Sequence, residues 1–367
     1  MTEPVHPAGE RVKSADRRVH HGRLLANVAE LLEASGSSEQ EALIVADHLV
    51  EANLKGHDSH GVIRAAKYVA WVEEGELITN RHAEIVTDKG SLLVVDGAFG
   101  YGQVIGREAM ALVAERARAN GLRAVAIRNS GHLGRFGARP EQLAEAQLVS
   151  AHFVNTSGYG ILVALHGGSD RRLSANPIAA GAPGSGGRPI ELDMATSVIA
   201  EGKIQVARNR GEAPKPGQVI DGPGQPTTEP AAFYRDPPGA IFPIAGHKGS
   251  GLSLFCEILA GSLTGRGSSH PGNPTAWRLV NNMLTLAFDP AAILGTDFAG
   301  DVTRLKAWVK GTPPFDSATP VQLPGEIEAA TETALLSSGV PVGPVARRNF
   351  AETQTRLRLD IQGEFKP

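Results

Sequence analysis

Apolar and polar positions alternate at helical spacing through the first part of the chain. This pattern predicts three helices, over about residues 22–34, 39–54 and 64–72. Ser38 stands just before the second helix, and Glu41 follows it by three positions, which is the pattern of a reciprocal capping box. A helical segment is therefore expected after a short polar stretch.

Beyond this segment, short apolar runs alternate with helical patterns. Strands are predicted over residues 91–96, 124–127, 149–154, 189–192 and 283–288, and helices over 103–119, 140–146, 197–210, 248–264, 302–310 and 326–336. Strands that alternate with helices so regularly are typical of an α/β fold, and the sequence contains no internal repeat.

The composition is that of a globular protein and disfavours several kinds of partner. Hydrophobic residues make up 41% of the 367 residues, charged residues 20% and aromatic residues 5%. The net charge of -3 and the few aromatic residues argue against nucleic acid and anionic membranes as partners. No apolar run reaches about 18 residues and the N-terminus does not resemble a secretory signal, so we expect a cytoplasmic protein without a membrane span. The single cysteine, Cys256, excludes an internal disulfide.

An eight-residue stretch that begins at His57, His-Asp-Ser-His-Gly-Val-Ile-Arg, places many polar groups at a junction between two predicted helices. The guanidinium of Arg64 could hold a carboxylate through two parallel hydrogen bonds, and Ser59 and His60 could donate to the same anion. The spacing of His57 and His60 could also serve zinc, with a further ligand from elsewhere in the chain. The structural alternative is a polar junction capped by Asp58 or Ser59.

A second cluster surrounds His132 at the end of a predicted strand. Gly131 and Gly134 flank it and remove side chains that would block access to the imidazole. Ligands of α/β sheets lie at strand ends, and the pKa of imidazole suits reversible proton transfer near neutral pH. The alternative is a structural histidine in a turn.

Two strand-to-helix junctions offer further polar groups. Asp193 ends a predicted strand, where it could orient an imidazolium, bind a ribose or an amide, or simply cap the next helix. The stretch at residues 246–251, Gly-His-Lys-Gly-Ser-Gly, opens a long helix, and its backbone N–H groups and Lys248 could bind a phosphate. A third glycine-rich stretch, residues 100–106, has the spacing GxGxxxG instead of a dinucleotide fingerprint and is interpreted as a tight turn.

The ordered set of motifs resembles the malate/L-lactate dehydrogenase family of the second type, which is unrelated to the Rossmann-fold lactate and malate dehydrogenases. The resemblance covers about residues 24–342 and is nearest to the hydroxycarboxylate dehydrogenase branch. The motifs that carry it lie at residues 52–61, 129–135, 226–228, 247–249 and 323–326. The resemblance implies an α/β fold with a mixed sheet, a non-Rossmann NAD(P)-binding fold, an N-terminal helical segment and an intertwined homodimer.

The resemblance also implies a domain division. It consists of a loose tail over 1–20, a helical segment with the first part of a catalytic and dimerisation domain over 21–125, an NAD(P)-binding domain over 126–300, C-terminal helices that return to the first domain over 301–350, and a tail over 351–367.

Roles for individual residues follow from the same resemblance. It makes His132 the general acid/base, places His60 at the substrate and nicotinamide end, and makes Arg64 the carboxylate clamp, with Ser59 beside them. Arg135 departs from the family pattern and could contact a cofactor phosphate or a second acidic group. Cofactor contacts are implied for His60, Gly134, Arg135, Phe136, Leu192, Asp193, Met194, Ala195, His247, Lys248, Asn281, Gly325, Glu326, Ile327 and Glu328, and no metal is implied.

The expected activity is an NAD- or NADP-dependent interconversion of a small 2-hydroxy acid, malate-, lactate- or aryl-lactate-like, and its 2-oxo acid. One alternative is an NADPH-dependent reductase of a cyclic imine carboxylate. Alternatives of other classes are a metal-dependent hydrolase that uses His57, His60 and His132, and a nucleotide-binding protein without turnover.

Overall fold

The computed structural model describes residues 16–184, 187–294, 297–316, 319–360 and 363–365. Its helices are α1 His21–Ala34, α2 Glu39–Leu54, α3 Ala65–Glu73, α4 Gly102–Asn120, α5 Ala138–Glu145, α6 Glu201–Arg210, α7 His247–Cys256, α8 Pro290–Leu294, α9 Phe298–Lys310, α10 Glu326–Ser338 and α11 Pro344–Arg356. Its strands are β1 Arg17–Val19, β2 Glu84–Lys89, β3 Leu92–Asp96, β4 Leu122–Ser130, β5 Val149–Ser157, β6 Val163–Ala164, β7 Arg171–Leu173, β8 Ile178–Ala182, β9 Ile190–Met194, β10 Val219–Ile220, β11 Pro226–Thr227, β12 Ala240–Ile241, β13 Val280–Phe288 and β14 Val340–Val342.

The central sheet has seven strands in the order β2-β3-β4-β13-β5-β8-β9. Its neighbouring strands pair antiparallel except for β3 and β4, which are parallel. A doubly wound dinucleotide-binding sheet is mostly parallel, so this sheet is of a different kind. The prediction of an α/β fold with a mixed, non-Rossmann sheet is confirmed.

Helices α4 and α5 pack on this sheet through an apolar core. The core includes Ile105 and Met110 of α4, Leu143 of α5, and Val125 and Ile127 of β4, all without exposed surface. The periodic apolar positions of α4 therefore cover the sheet. Gly121 ends α4 with a φ of 72°, the left-handed conformation that glycine adopts without a steric penalty.

The N-terminal helices form a second core, which the C-terminal part of the chain completes. Leu24, Leu49 and Tyr68 pack together in it with Phe350 of α11. The ring of Phe365 stacks on Phe350 at 4.1 Å between centroids. The first and last parts of the described chain thus share one core.

The segments interpreted as tails are partly structured. In the stretch 1–20, residues 17–19 form β1, which pairs with β14, while residues 1–15 lie outside the described residues. In the stretch 351–367, α11 continues to Arg356 and Phe365 is fully buried. The apolar residues that anchor these ends stand singly among polar ones, so no periodic pattern marked them.

The predicted domain limits fall inside secondary-structure elements. Strand β4 continues across the limit at 125, helix α9 across the limit at 300, and helix α11 across the limit at 350. These limits therefore do not coincide with breaks between elements.

A smaller sheet has five strands in the order β11-β10-β12-β6-β7. Its core contains Val163, Val219, Phe233 and Ile241, together with Ile204 of α6. In the described part of the chain, no helix is both long enough and apolar enough to cross a bilayer.

Candidate active site

His132 lies just after β4, and a glycine allows the backbone of α4 to approach it closely. A Cβ at Gly102 would lie 2.5 Å from the carbonyl oxygens of both Gly131 and His132. The glycine-rich stretch at residues 100–106 therefore packs against the His132 loop. The interpretation of the whole stretch as a tight turn is wrong, because residues 102–106 already belong to α4.

The imidazole of His132 is held from one side by two residues that the sequence interpretation did not include. The Tyr68 hydroxyl lies 2.7 Å from Nδ1 of His132, and the Gln103 side chain donates from Nε2 to the Tyr68 oxygen at 2.8 Å. Tyr68 and Gln103 are each 1% exposed. Because Nδ1 is engaged by Tyr68, Nε2 is the ring nitrogen available to a substrate.

The surroundings of His132 keep its imidazole neutral. Burial and the nearby Arg64 guanidinium lower the pKa of His132 to about 3. Burial, His132 and Arg64 also hold the pKa of His60 well below its usual range. A neutral imidazole at physiological pH is a form that can accept a proton.

Three predicted site residues surround His132. The rings of His60 and His132 stack with centroids 5.6 Å apart. Ser59 Oγ lies 3.0 Å from Nδ1 of His60, and Arg64 donates from Nε to the Ser59 carbonyl at 2.6 Å. The structure therefore brings His132, His60, Ser59 and Arg64 into one cluster.

The start of α6 lies against this cluster. A Cβ at Gly202 would lie 2.8 Å from Cβ of Ser59 and 3.8 Å from Nη2 of Arg64. The site thus lies where the N-terminal helical segment, the end of β4 and the small-sheet region meet.

His57 belongs to a different environment. Its Nε2 lies 3.5 Å from a carboxylate oxygen of Glu328. Among the described residues, no group of three or more His, Cys, Asp or Glu side chains is placed to hold a metal ion. His60 and His132 stack through their ring faces, whereas two zinc ligands direct ring nitrogens at one point.

Asn281 anchors the loop that carries His132. Its Oδ1 accepts from the Leu133 N–H at 2.9 Å, and its Nδ2 donates to Thr156 Oγ1 at 2.8 Å. The Thr156 N–H donates to Asn176 Oδ1 at 3.2 Å, and Asn176 donates to Ser253 Oγ of α7 at 3.1 Å. A continuous hydrogen-bonded chain therefore connects the His132 loop to α7.

The N-terminus of α7 has the chemistry of a phosphate site. His247 and Lys248 are exposed in its first turn, and the ring of His166 lies 6.0 Å from that of His247. A Cβ at Gly249 would overlap the carbonyl oxygen of Ile244, so only glycine allows the chain to enter the helix along this path. Exposed cationic groups at a helix start fit a ligand that carries phosphate.

Asp193 supports the backbone of a neighbouring loop. Its Oδ2 accepts from the Gly137 N–H at 2.8 Å, and burial raises the pKa of its carboxyl. Its described hydrogen bond thus goes to backbone and not to the His132 imidazole. Leu192 beside it is 39% exposed, and Met194 is half-buried.

Arg135 occupies the protein interior, where its partners are carboxylates. Its guanidinium donates to Glu191 at 2.7 Å, to Glu51 at 3.2 Å and to Glu141, and it is 1% exposed. Three glutamates thus surround the charge of Arg135. Its expected contact with a cofactor phosphate or a second acidic group stays a prediction.

The neighbours of Arg135 are also internal. A Cβ at Gly134, whose φ is 77°, would overlap Nε2 of His48. The same His48 nitrogen accepts from the Arg135 N–H at 3.0 Å, and Phe136 is 7% exposed in the core beneath the sheet. In the described structure both Gly134 and Phe136 pack against the protein, and the cofactor contacts expected for them stay predictions.

The stretch from Gly325 to Glu328 begins α10. Gly325 has a φ of 90°, and Glu326 accepts from the Leu323 N–H at 2.9 Å and pairs with Lys310 at 2.8 Å. The stretch borders a cavity of about 540 Å³ whose lining includes Glu51, Glu141, Glu145, Glu191, Glu326, Glu328 and Glu332. Lys55, Arg188 and Lys306 line the same cavity, so it holds charges of both signs, and the cofactor contacts expected for residues 325–328 stay predictions.

Known proteins resemble this chain over most of its length. It is 41% identical over 311 residues to hydroxycarboxylate dehydrogenase B of Escherichia coli strain K12, which covers 84% of this chain and 85% of the relative. It is 36% identical over 319 residues to L-lactate dehydrogenase of Cupriavidus necator, with 86% and 91% covered. The structure of malate dehydrogenase from Pyrococcus horikoshii matches with a TM-score of 0.85 at 29% identity, covering 96% of this chain and 98% of that one.

The fold and these relatives define an oxidoreductase that acts on CH–OH groups. Residues 19–349 match the family model described as malate/L-lactate dehydrogenase. The chain belongs to the malate/L-lactate dehydrogenase family, which confirms the resemblance seen in the sequence. Membership implies a nicotinamide cofactor, and the start of α7 fits its phosphates.

Tyr68 and Gln103 are the site residues that sequence interpretation missed. Tyr68 follows Arg64 by four positions, so extending the helical face of Arg64 by one turn would have identified it. Gln103 follows the glycine of a strand-to-helix turn and carries no comparable signal, because only the packing of α4 against α3 brings it to Tyr68.

Proposed function

We propose that this protein is an NAD- or NADP-dependent dehydrogenase that interconverts a small 2-hydroxy acid and its 2-oxo acid. The observation that supports this most directly is the neutral, buried imidazole of His132, with Nδ1 bound to Tyr68 and a guanidinium, Arg64, beside it. A proton acceptor next to a carboxylate-binding cation is what oxidation of a 2-hydroxy acid requires.

In this proposal, Arg64 binds the substrate carboxylate and Nε2 of His132 accepts the hydroxyl proton. The nicotinamide, when bound, accepts the hydride from C2. Burial and, in addition, the charge of Arg64 disfavour protonation of His132 in the free enzyme. A bound carboxylate neutralises that charge and raises the proton affinity of His132. Substrate binding therefore prepares the base, and in reduction the same nitrogen returns the proton to the carbonyl oxygen.

The cofactor would be held along the path from α7 to the His132 loop. His247 and Lys248 would bind phosphate at the start of α7. Asn281 would hold the His132 loop in a fixed position relative to that helix. Residues 192–195 at the end of β9, together with His60, complete the set that we propose for cofactor contacts. Such positioning supplies much of the rate of a hydride transfer.

The test is a spectrophotometric screen of both cofactors against 2-oxo acids and cyclic imine carboxylates. We expect turnover with a 2-oxo acid, loss of at least about 100-fold in kcat for His132→Asn, and retained cofactor binding. Arg64→Ala should mainly raise KM for carboxylate substrates. His82→Asn, a surface histidine paired with Glu108, is the control and should behave as wild type.

Four outcomes would contradict the proposal. Near-normal kcat in His132→Asn removes the assignment of the acid/base. An unchanged KM in Arg64→Ala removes the carboxylate clamp. Turnover restricted to cyclic imines identifies an imine reductase instead, and activity that depends on stoichiometric zinc identifies the hydrolase alternative.

We also propose that the protein acts as a homodimer. Helix α7 and the π-helical turn that follows it, Glu257–Ser262, expose apolar side chains, with Phe255 61% and the next residue after the turn, Leu263, 65% exposed. Apolar surface of this kind is typical of subunit interfaces. We expect wild-type protein to elute as a dimer in size-exclusion chromatography with light scattering, and Phe255→Glu to shift it toward monomer. A monomeric wild type at micromolar concentration contradicts this proposal.

A further inference from the structure

The side chain of Gln103 is buried but only half satisfied. It is 1% exposed, and its Nε2 donates to the Tyr68 hydroxyl at 2.8 Å, while its Oε1 is buried and has no hydrogen-bond partner among the described residues. An unpaired buried oxygen costs free energy, so an apolar side chain of the same shape would be the cheaper solution for packing alone. Packing alone therefore does not explain why an amide side chain occupies this position.

The direction of the hydrogen bonds decides which nitrogen of His132 carries a proton. The Gln103 nitrogen can only donate, so the Tyr68 oxygen accepts from it. The Tyr68 hydrogen then has Nδ1 of His132, at 2.7 Å, as its acceptor, since otherwise a buried hydroxyl hydrogen would stay unpaired. Neutral His132 consequently carries its proton on Nε2.

The opposite direction is available to the same three side chains. A half-turn of the terminal amide exchanges Oε1 and Nε2 of Gln103 and leaves the shape of the side chain unchanged. Oε1 then accepts from the Tyr68 hydroxyl, and the Tyr68 oxygen accepts from Nδ1–H of His132. Nε2 of His132 is bare in this arrangement. The described structure has the first orientation, so we expect it in the protein without ligand, and the half-turn gives the second.

We infer that Gln103 is a positioning residue that, through the Tyr68 hydroxyl, selects which nitrogen of His132 bears the proton. With the amide nitrogen toward Tyr68, neutral His132 presents Nε2–H, which can hydrogen-bond to a carbonyl oxygen but cannot accept a proton. In reduction, the imidazolium gives its Nε2 proton to the carbonyl oxygen and becomes the neutral ring that keeps its proton on Nδ1. With the amide oxygen toward Tyr68, His132 presents bare Nε2, the form that takes a proton from a hydroxyl. This inference rests on the proposed function, in which His132 is the acid/base.

The proton balance of the oxidation is complete within this arrangement. The substrate O–H bond breaks and its proton forms an N–H bond at Nε2 of His132. The electron pair of that bond stays on the oxygen, where it forms the carbonyl as the hydride leaves C2 for the nicotinamide. Nδ1 keeps its own proton, hydrogen-bonded to the Tyr68 oxygen.

Other charged or titratable groups surround the relay without hydrogen-bonding to the Tyr68 hydroxyl in the described structure. They are His48 of α2, His60 and Arg64 of the turns before α3, and Arg139 of α5, which donates to the Gln103 carbonyl at 3.4 Å. The ring of Tyr101, at the start of α4, lies 5.9 Å from that of Tyr68. Gln103 is therefore the residue whose side chain sets the direction of the Tyr68 hydrogen bond.

The test uses two variants of nearly unchanged shape in the full-length protein. The side chain of Gln103→Glu, when ionised, can only accept a hydrogen bond. The side chain of Gln103→Met neither donates nor accepts one. The readouts are the tautomer of His132, from ¹⁵N-histidine NMR assigned with His132→Asn, and the pH profile of kcat/KM for oxidation. The matched control is the same pair of substitutions at Gln142, which donates to the Arg107 carbonyl at 2.9 Å and contacts neither Tyr68 nor His132.

The variants should move the readouts in different ways. Wild-type protein without ligand should show the Nε2–H tautomer, and Gln103→Glu should show Nδ1–H. In Gln103→Glu, the acid limb of the pH profile should move up by at least about one pH unit, because a nearby anion favours the imidazolium. In Gln103→Met, the Tyr68 hydrogen has only His132 to bind, so kcat for oxidation should fall at least about tenfold while KM changes little.

Several results would overturn the inference. They are an Nδ1–H tautomer in the wild type, an unchanged tautomer and pH profile in Gln103→Glu, or full kcat in Gln103→Met. Thermal unfolding reports whether each variant folds. The wild-type spectrum decides the first of these results, the tautomer of His132, even if a variant does not fold. If His132→Asn keeps its turnover, the proposed function itself falls. If His132→Asn is inactive and the Gln103 variants behave as wild type, only the relay falls.

Discussion

Arg135 shows how a residue's role depends on what surrounds it. Burial and the adjacent Glu141 carboxyl raise the pKa of Glu191 to about 9. Burial alone would raise the pKa of Glu141. The hydrogen bond from Glu191 and the charges of Arg135 and Lys55 outweigh burial and hold this pKa at about 2. The pKa values of the two carboxyls are thus shifted in opposite directions, beside the charges of Arg135 and Lys55. Arg135 balances this buried cluster.

Arg135→Met should destabilise the protein strongly. Removing one member of a buried ion cluster leaves uncompensated charge and costs about 3–5 kcal/mol of unfolding free energy. Urea denaturation followed by circular dichroism measures this loss. Arg235→Met, which breaks an exposed pair with Glu229, is the control and should change little.

The same variant separates the structural role from a cofactor role. If Arg135 supports only the protein, folded Arg135→Met should bind NADH or NADPH with wild-type affinity. A variant that keeps its stability but loses cofactor affinity would contradict the structural role and restore the contact expected from the sequence.

At the scale of elements, the start of α2 depends on a residue far along the chain. Ser38 accepts from the Glu41 N–H at 3.3 Å, as a helix cap does. The Glu41 carboxylate, however, accepts from the Asn80 N–H at 2.8 Å, and Asn80 Oδ1 accepts from the Ser38 N–H at 2.8 Å. Only one half of the predicted reciprocal capping box forms. Ser38 accepts from the Glu41 N–H, but the Glu41 carboxylate binds the Asn80 N–H, and Asn80 Oδ1 binds the Ser38 N–H instead.

Asn80→Ala should destabilise α2 at its first turn. Asn80 has a φ of 59°, which alanine tolerates poorly, and its side chain bonds both the Ser38 N–H and the Gly36 carbonyl. We expect a loss of about 1–2 kcal/mol in unfolding free energy by urea denaturation.

A second substitution divides that loss into its parts. Asn80→Gly accepts the positive φ but lacks the side chain, so it should lose less than Asn80→Ala. Equal losses would show that the backbone conformation contributes nothing, and no loss in either variant would contradict the capping role of Asn80.

At the scale of the whole molecule, several histidines are buried in the neutral form. Burial lowers the pKa of His48 and His60 well below the usual range, and lowers that of His132 and His152 to about 3 each. In the unfolded chain these groups titrate near the ordinary value of about 6.5. Their contribution to stability is therefore complete above about pH 6.5 and decreases as the pH falls toward the folded values.

The unfolding free energy should consequently fall between pH 6.5 and pH 5, a window above most carboxylate titrations. Each buried histidine contributes a slope of about 1 kcal/mol per pH unit, because the unfolded state binds protons that the folded state does not. In His152→Gln, the slope should be lower by about this amount, whereas His82→Gln, with its 67% exposed side chain, should keep the wild-type slope. A slope that is equal in His152→Gln and wild type would contradict this account.

Much of the element content followed from local pattern. Helices α1, α2, α4 and α10 each bury one face, so their apolar residues recur at helical spacing. Strand β2 gave no such signal because it is largely exposed at the edge of the sheet. Helix α6 begins only at Glu201, and the long helix predicted over 248–264 changes to a π-helical turn at Glu257. These boundaries depend on packing against other elements.

The sequence by itself determined the α/β class and membership of the family, and it predicted the chemistry at His132 and Arg64. These properties depend on residue types and on spacing along the chain. Only the tertiary structure decided that Tyr68 and Gln103 hold the imidazole, that Arg135 is enclosed by glutamates, and that Asn80 caps α2. Each of these contacts joins residues from separate elements, and their distance in the chain carries no information about their distance in the fold.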